Sequence, residues 1–165
     1  MSRFVVLWSV FAVVSLVACT SRSLPGPSST DPYPPLGVLR AEAAVDLIAP
    51  DSTLIRTVGA EGFMNITGWQ SAFYGHVYGT HTLNDEVFAY YDRELVSLGW
   101  KPDQKPILSS GELHGWGWCK PQLYFRLAIF DREQYARVGV PDGDKYWTVY
   151  DARLQGTTDP CPSLR

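Results

Sequence analysis

The chain has 165 residues, and its 14 lysines and arginines against 17 aspartates and glutamates leave a formal charge of −3. No basic stripe or Lys/Arg cluster stands out along it, which argues against a nucleic-acid partner. A hydrophobic fraction of 45% supplies enough apolar material for one packed core.

Residues Phe4 to Ala18 form a short apolar run, preceded by Arg3 and closed by Leu16, Val17, Ala18 and Cys19. A membrane-spanning helix needs about 20 apolar residues, so a run this short reads as the core of a secretory signal and not as part of the fold. The LVAC at 16–19 resembles the lipobox of bacterial lipoprotein signal peptides: an aliphatic residue, small residues, then the cysteine that is lipidated. In that family the thiol takes a diacylglyceryl group and the chain is cut before it. The resemblance implies a signal peptide over 1–18, a lipidated Cys19 as the first mature residue, and an extracytoplasmic domain held on the cell membrane or outer membrane. Two acyl chains, at about 0.8 kcal/mol per buried methylene, anchor stably where one is marginal. Removing Arg3 with the signal leaves 13 basic residues against 17 acidic, so the expected membrane attachment is lipid and not a polybasic patch.

Thr20 to Pro35, TSRSLPGPSSTDPYPP, is dominated by serine and proline, which neither build a core nor continue a helix. Residues 19–35 therefore read as the lipidated cysteine and a tether, reaching up to about 50 Å if extended at roughly 3.1 Å per residue. Residues 36–165 fit a single globular domain with no internal repeat.

Within that domain, Ala41, Ala44, Val45 and Ile48 line one face of a short helix that Pro50 stops. Thr53–Ala60 and Ser71–Thr80 read as strands, joined through Gly62 and Gly68. The most completely specified element follows. Asn84 is a good N-cap, Asp85 and Glu86 meet the positive end of the helix dipole, and Val87, Tyr90, Tyr91, Leu95 and Leu98 form an apolar stripe with Asp92, Arg93 and Glu94 on the solvated side. Gly99 suits the left-handed residue past the last turn, and Trp100 is placed to fold back onto Leu95 in a Schellman ending. Leu113–Trp118 and Gln122–Phe130 are the next strands, and Leu123, Phe125, Leu127 and Ile129 alternate with Tyr124, Arg126 and Ala128, which predicts one buried face. Asp131–Arg137 is expected to form a helical turn, and Lys145–Leu154 a last strand after a turn at Pro141, Asp142 and Gly143.

This order predicts an α+β fold of two layers: an antiparallel sheet of about five strands, with one main helix and one short helix packed on one side. The run YYDRELVSLGW at 90–100, the Pro-Asp-Ser-Thr strand entry and the late YWTVYDARL strand resemble small extracytoplasmic lipoproteins of uncharacterised function, especially actinobacterial ones. That resemblance implies fold and location and carries no catalytic residue with it.

Once Cys19 is lipidated, Cys119 and Cys161 remain, an even pair in an exported domain without Cys-x-x-Cys spacing. They are expected to form a disulfide, closing a loop of about 43 residues and worth on the order of 4 kcal/mol in the chain-entropy model.

The candidate sites are few. Tyr74, His76 and Tyr78 share one face of a strand, and Trp116 and Trp118 share one face of another; together they offer a possible aromatic surface for a sugar or lipid, or else a covered sheet face. His81 and His114, the latter near Glu112, complete the histidines, and no HExxH or comparable spacing suggests a metal. No GxSxG is present, and a hydrolase would have to assemble His76 or His114 with a hydroxyl and a carboxylate in space. Asp142 and Asp144 around Gly143 hint at calcium but are explained by a turn, and Asn65-Ile66-Thr67 is a glycosylation sequon by pattern only. The expectation is a non-enzymatic, membrane-anchored envelope lipoprotein without a cofactor, binding another envelope protein or a cell-wall component. A sugar- or lipid-binding module on the aromatic face is the alternative, and an exported hydrolase the more remote one.

Overall fold

A computed structural model describes residues 31–103, 112–130, 140 and 142–158 of the protein. The elements in chain order are α1 (Leu36–Arg40), a 3-10 turn at Ala43–Asp46, β1 (Ser52–Ala60), β2 (Phe63–Asn65), β3 (Gly68–Gln70), β4 (Phe73–Thr80), α2 (Asn84–Ser97), β5 (Lys101–Asp103), β6 (Glu112–Lys120), β7 (Leu123–Phe130), a 3-10 turn at Gly143–Lys145 and β8 (Thr148–Gly156). Six strands form one sheet in the order β1-β4-β8-β7-β6-β5, and every neighbouring pair is antiparallel. β2 and β3 form a separate two-stranded hairpin.

Burial of the alternating side chains sets the layers. Tyr78 of β4, Tyr150, Ala152 and Leu154 of β8, Phe125, Leu127 and Ile129 of β7 and Trp118 of β6 join Leu36, Leu39, Ala44, Val45, Val87, Tyr91 and Leu95 in one core. The helices therefore cover one face of the sheet, which is the two-layer arrangement expected of an antiparallel α+β fold. The opposite face carries a smaller cluster of Val77, Val140 and Val149 with Ile55, Val58, Phe130 and Tyr146 against it. Both faces of β7 are thus inside: Tyr124 and Ala128, expected on a solvated face, are 2% and 1% exposed. Strict alternation marks which residues point together but does not say whether the second face is also covered.

The expected helix over 84–98 forms, with its ends drawn differently. Leu83, not Asn84, is the N-cap, and a leucine side chain has nothing with which to cap. Glu86 Oε2 instead accepts from the Leu83 N–H at 3.3 Å, and the Asn84 amide oxygen is turned to the Thr148 hydroxyl at 2.8 Å. At the other end the Trp100 N–H donates to the Leu95 carbonyl and the Gly99 N–H to the Val96 carbonyl, both at 3.0 Å, with Gly99 at φ +84°. That is the Schellman geometry. Trp100 is buried while Leu98 is exposed, so the stripe ends at Leu95 and Trp100 takes the place that Leu98 was expected to fill.

The other departures are short-range. Among the described residues the sheet has six strands, where about five were expected, and the three-residue strands β2, β3 and β5 carry too few residues for a period-2 pattern. The first helix lies at 36–40 with the 3-10 turn after it, so Ala44 and Val45 are buried as expected while Ala41 and Ile48 are exposed. The last strand begins at Thr148, because 143–145 are wound into a 3-10 turn. The turn expected at 131–137 lies outside the described residues.

Two glycines test this description. A Cβ on Gly99 meets nothing within 4 Å, so replacing it costs backbone strain alone; a Cβ on Gly75 would overlap the Ala152 carbonyl and lie 2.7 Å from the Arg153 Cα. Urea unfolding should show Gly99→Val destabilised by at least about 1 kcal/mol, Gly99→Asn by less, and Gly75→Ala by about 2 kcal/mol or more through overpacking between β4 and β8. Equal stabilities for Gly75→Ala and wild type would contradict the β4–β8 pairing.

Candidate functional site

The two aromatic rows expected to make one surface lie on the same face of the sheet but on different strands, with β8 and β7 between β4 and β6. At about 4.8 Å per strand, roughly 14 Å separates them, filled by core side chains. Tyr78 and Trp118 are themselves core, 3% and 1% exposed. Trp116 stacks on Phe88 of α2 with ring centroids 4.8 Å apart, and the Trp118 indole N–H donates to Asp92 Oδ1 at 2.9 Å. Asp92, read as solvated, thus fixes the rotation of α2 over the sheet. The tryptophan pair is the floor beneath a helix, and Tyr74, His76 and Tyr78 do not join it.

His76 lies half-buried between Tyr74 and Tyr78, with ring centroids 5.3 and 5.7 Å away, and its Nδ1 is 3.1 Å from the Thr57 hydroxyl of edge strand β1. Burial lowers its proton affinity, while the Asp46 and Asp151 carboxylates act in the other direction. Burial likewise pushes the Tyr78 hydroxyl up to about 12. A hydroxyl and an imidazole therefore meet here, and Asp46 acts on the ring through its charge; among the described residues no hydrogen bond joins that carboxylate to His76. Base-orienting geometry of the Ser-His-Asp kind needs that third contact.

The side chains of Glu112 and His114 lie outside the described residues, as does Cys161, the expected partner of Cys119. Asp142 adopts φ 56°, and its carboxylate pairs with Lys145 at 3.0 Å, which is turn chemistry. Asn65 spends its side-chain oxygen on the Thr67 N–H at 2.9 Å and the Thr67 hydroxyl at 2.7 Å, closing the β2–β3 turn. Among the described residues, no group of three or more His, Cys, Asp or Glu is placed to hold a metal, and no helix is long and apolar enough to cross a membrane.

The more open surface lies where β4 leaves the sheet and β8 enters it. Thr80 faces Thr148 in register, and the Trp147 N–H donates to the Thr80 carbonyl at 3.0 Å. The Thr148 hydroxyl lies 2.8 Å from both the Thr82 carbonyl and Asn84 Oδ1, while the Thr80 and Thr82 hydroxyls reach the Pro50 carbonyl at 3.3 Å. This knot leaves Trp147 64% and Leu83 60% exposed, with the His81 ring edge-on to Trp147 at 5.6 Å. A groove of about 430 Å³ is lined by Leu83, Asn84, Asp85, Trp147 and Thr148. A second, of about 410 Å³, lies on the other flank of the first turn of α2 and includes Thr82, Glu86 and Tyr90. Asp85 lines the Trp147 groove and already meets the positive end of the helix dipole, so that groove disfavours anions, whereas Arg93 lines the other. Trp147 and Leu83 were missed as site residues, because only their exposure distinguishes them from core positions.

Compared with protein-family models, with curated proteins and with solved structures, the chain matches none.

His76 gives a measurable consequence. Its folded proton affinity is below the ordinary value of 6.5, so the unfolded chain takes up this proton first as pH falls. The stability carried by the neutral ring is therefore complete above pH 6.5 and is lost as pH drops through the lowered folded value. His76→Gln should flatten the rise of unfolding free energy with pH just below 6.5; an unchanged slope by urea titration would remove His76 as its source.

Proposed function

We propose that the protein is a cell-envelope lipoprotein, anchored through acylated Cys19, whose globular part is a non-enzymatic binding module for an envelope protein or a cell-wall component. One observation carries the reading: the chain enters the fold at the pole opposite the Trp147 groove. Asp31 lies beside Gly62, Tyr33 and Pro34 lie beside Gly156, and the Leu36 N–H reaches Glu61 Oε2 at 3.4 Å. Thr148 and Gly156 are the two ends of β8, about 27 Å apart at 3.4 Å per residue. A domain moored by its N-terminal arm therefore carries Trp147, Leu83 and the first turn of α2 at the pole away from its point of attachment.

The sugar reading is supported by that groove and not by the aromatic rows. An indole face beside the Asn84 amide nitrogen and the Asp85 carboxylate offers stacking for the apolar face of a sugar ring and hydrogen bonds for its rim, the Thr148 hydroxyl being buried and spent within the knot. The groove volume suits one or two neutral rings.

Cys19→Ser should move the protein from the membrane fraction toward the soluble fraction, and the intact mass of the wild-type mature chain should carry two or more acyl groups on Cys19. The same preparation should titrate with no free thiol if Cys119 and Cys161 are bonded; a titre of two would rule that bond out. Titration with neutral cell-wall glycan fragments should change tryptophan fluorescence, and Trp147→Ala should weaken binding about 10-fold or more, in line with about 1.4 kcal/mol for a stacked ring. Binding that survives Trp147→Ala intact would place the ligand elsewhere.

A further inference from the structure

The β2–β3 hairpin is the least expected feature of the fold. Phe63 is 55% and Met64 49% exposed, and Ile66 at the tip is fully exposed. Phe63 and Met64 are neighbours on a strand, so the apolar side chains lie on both faces of the hairpin, and Trp69 pairs across from Met64. A hairpin of three residues per strand has too little cover to bury such groups against itself. From Gly62 to Ser71 there is no charged residue.

We infer that this hairpin is a second membrane contact, whose tip enters the interface of the bilayer that carries the Cys19 lipid. Three features of the tip suit an apolar medium. It carries no charge to desolvate. Its inward-facing backbone groups pair across Phe63–Gln70, Met64–Trp69 and Asn65–Gly68 and the Asn65 side chain takes up the Thr67 N–H and hydroxyl, while the outward-facing groups of the two edge strands keep water or headgroup partners, which sets the depth at the interface and not in the hydrocarbon. Trp69, half-buried behind Met64, stands where an indole meets the headgroup level.

The position of the hairpin selects a lipid surface over other occupants. The described chain begins at Asp31, whose carboxylate lies 3.0 Å from where a Cβ on Gly62 would sit, at the foot of β2. Only residues 20–30 separate that point from Cys19, a span of at most about 40 Å even if fully extended. The hairpin therefore lies at the pole where the anchored arm joins the fold. A lipid chain plus a second apolar contact is the two-signal logic of stable peripheral attachment, here without a basic patch. The inference rests on the anchoring proposed above, and the hairpin turns a flexible mooring into one that orients the domain.

Full-length protein reconstituted into phosphatidylcholine vesicles tests it. The Ile66→Trp variant should gain blue-shifted emission that lipids brominated on their acyl chains quench, with little effect of added salt, whereas Leu83→Trp at the far pole should not be quenched. In an unlipidated Cys19→Ser chain that starts at position 19, Phe63→Ser with Ile66→Ser should lower vesicle co-sedimentation about 10-fold without changing the urea midpoint. An acylated Cys19 by intact mass together with an unquenched Ile66→Trp overturns the hairpin contact and leaves the anchor standing. Quenched Ile66→Trp in a chain whose Cys19 carries no lipid overturns the anchor and leaves the contact. A photoreactive diazirine side chain replacing Ile66 should cross-link to lipid in cells; cross-linking to protein alone would overturn the proposal in favour of a protein partner.

Discussion

The phenol of Tyr91 is the contact on which the rest of the molecule depends. Its ring is fully buried among Tyr150, Phe125 and Tyr90, with centroids 5.8, 5.7 and 5.4 Å away. A buried hydroxyl without a partner costs about 1–3 kcal/mol, and this one donates to the Leu47 carbonyl at 2.8 Å. The bond ties α2 to the irregular segment after the 43–46 turn, so that segment cannot lift away without stranding the hydroxyl. Burial pushes the Tyr91 phenol well above its ordinary proton affinity, keeping it neutral and a donor. Pro50, three residues beyond Leu47, then offers its carbonyl to Thr80 and Thr82, and Tyr150 reaches Ser52 at 2.8 Å. The packing of one helix thus also places the strap that borders the grooves beside α2.

The sheet face away from the helices combines its apolar cluster of Val77, Val140 and Val149 with buried charge. Asp151 is 5% exposed and pairs with Arg153 beside it, while Arg126 and Arg56 stand close enough for their charges to act on it. Burial raises the proton affinity of this carboxyl, and the arginines work against that. The Tyr124 hydroxyl donates to Asp103 at 2.9 Å, binding the short edge strand β5 to β7 across β6. Such buried pairs add little net stability once desolvation is counted, but removing one partner strands the other, so they fix register. A one-residue slip of β8 would carry Asp151 to the apolar side and Tyr150 to the charged one.

What could be read from the sequence is what local chemistry decides. The Schellman stop at Gly99 and Trp100 needs only a residue tolerant of positive φ and an apolar residue after it, and both are visible in six letters. The buried row of Leu123, Phe125, Leu127 and Ile129 is likewise a period-2 fact. The N-terminus of α2 was misread because Asn84 has a competing partner 64 residues away in Thr148, which no local rule contains. The same applies to Asp92 and Trp118, and to Trp116, whose neighbour Phe88 was assigned to no face of the helix. The hairpin tip looked like a sequon because Asn-x-Thr is also the pattern of an Asx turn.

The groove at Trp147 was illegible for a reason rooted in topology. Antiparallel pairing of β4 with β8 brings the end of one strand to the start of the other, so Thr80 and Thr148 meet, and the residues flanking them, Leu83 and Trp147, meet with them. Neither strand on its own implies the other's neighbour. The same pairing sends Phe73 and Gln155 to the far pole, where the arm from Asp31 arrives and the hairpin begins. A single register therefore generates both ends of the molecule, one charge-free and apolar at its tip, the other aromatic with acidic neighbours. Since each strand of this pair runs from one pole to the other and Tyr78 and Tyr150 of the same pair pack in the core with Tyr91, a change that loosened β4 from β8 would dissolve the distinction between the poles and open the core beneath α2 together.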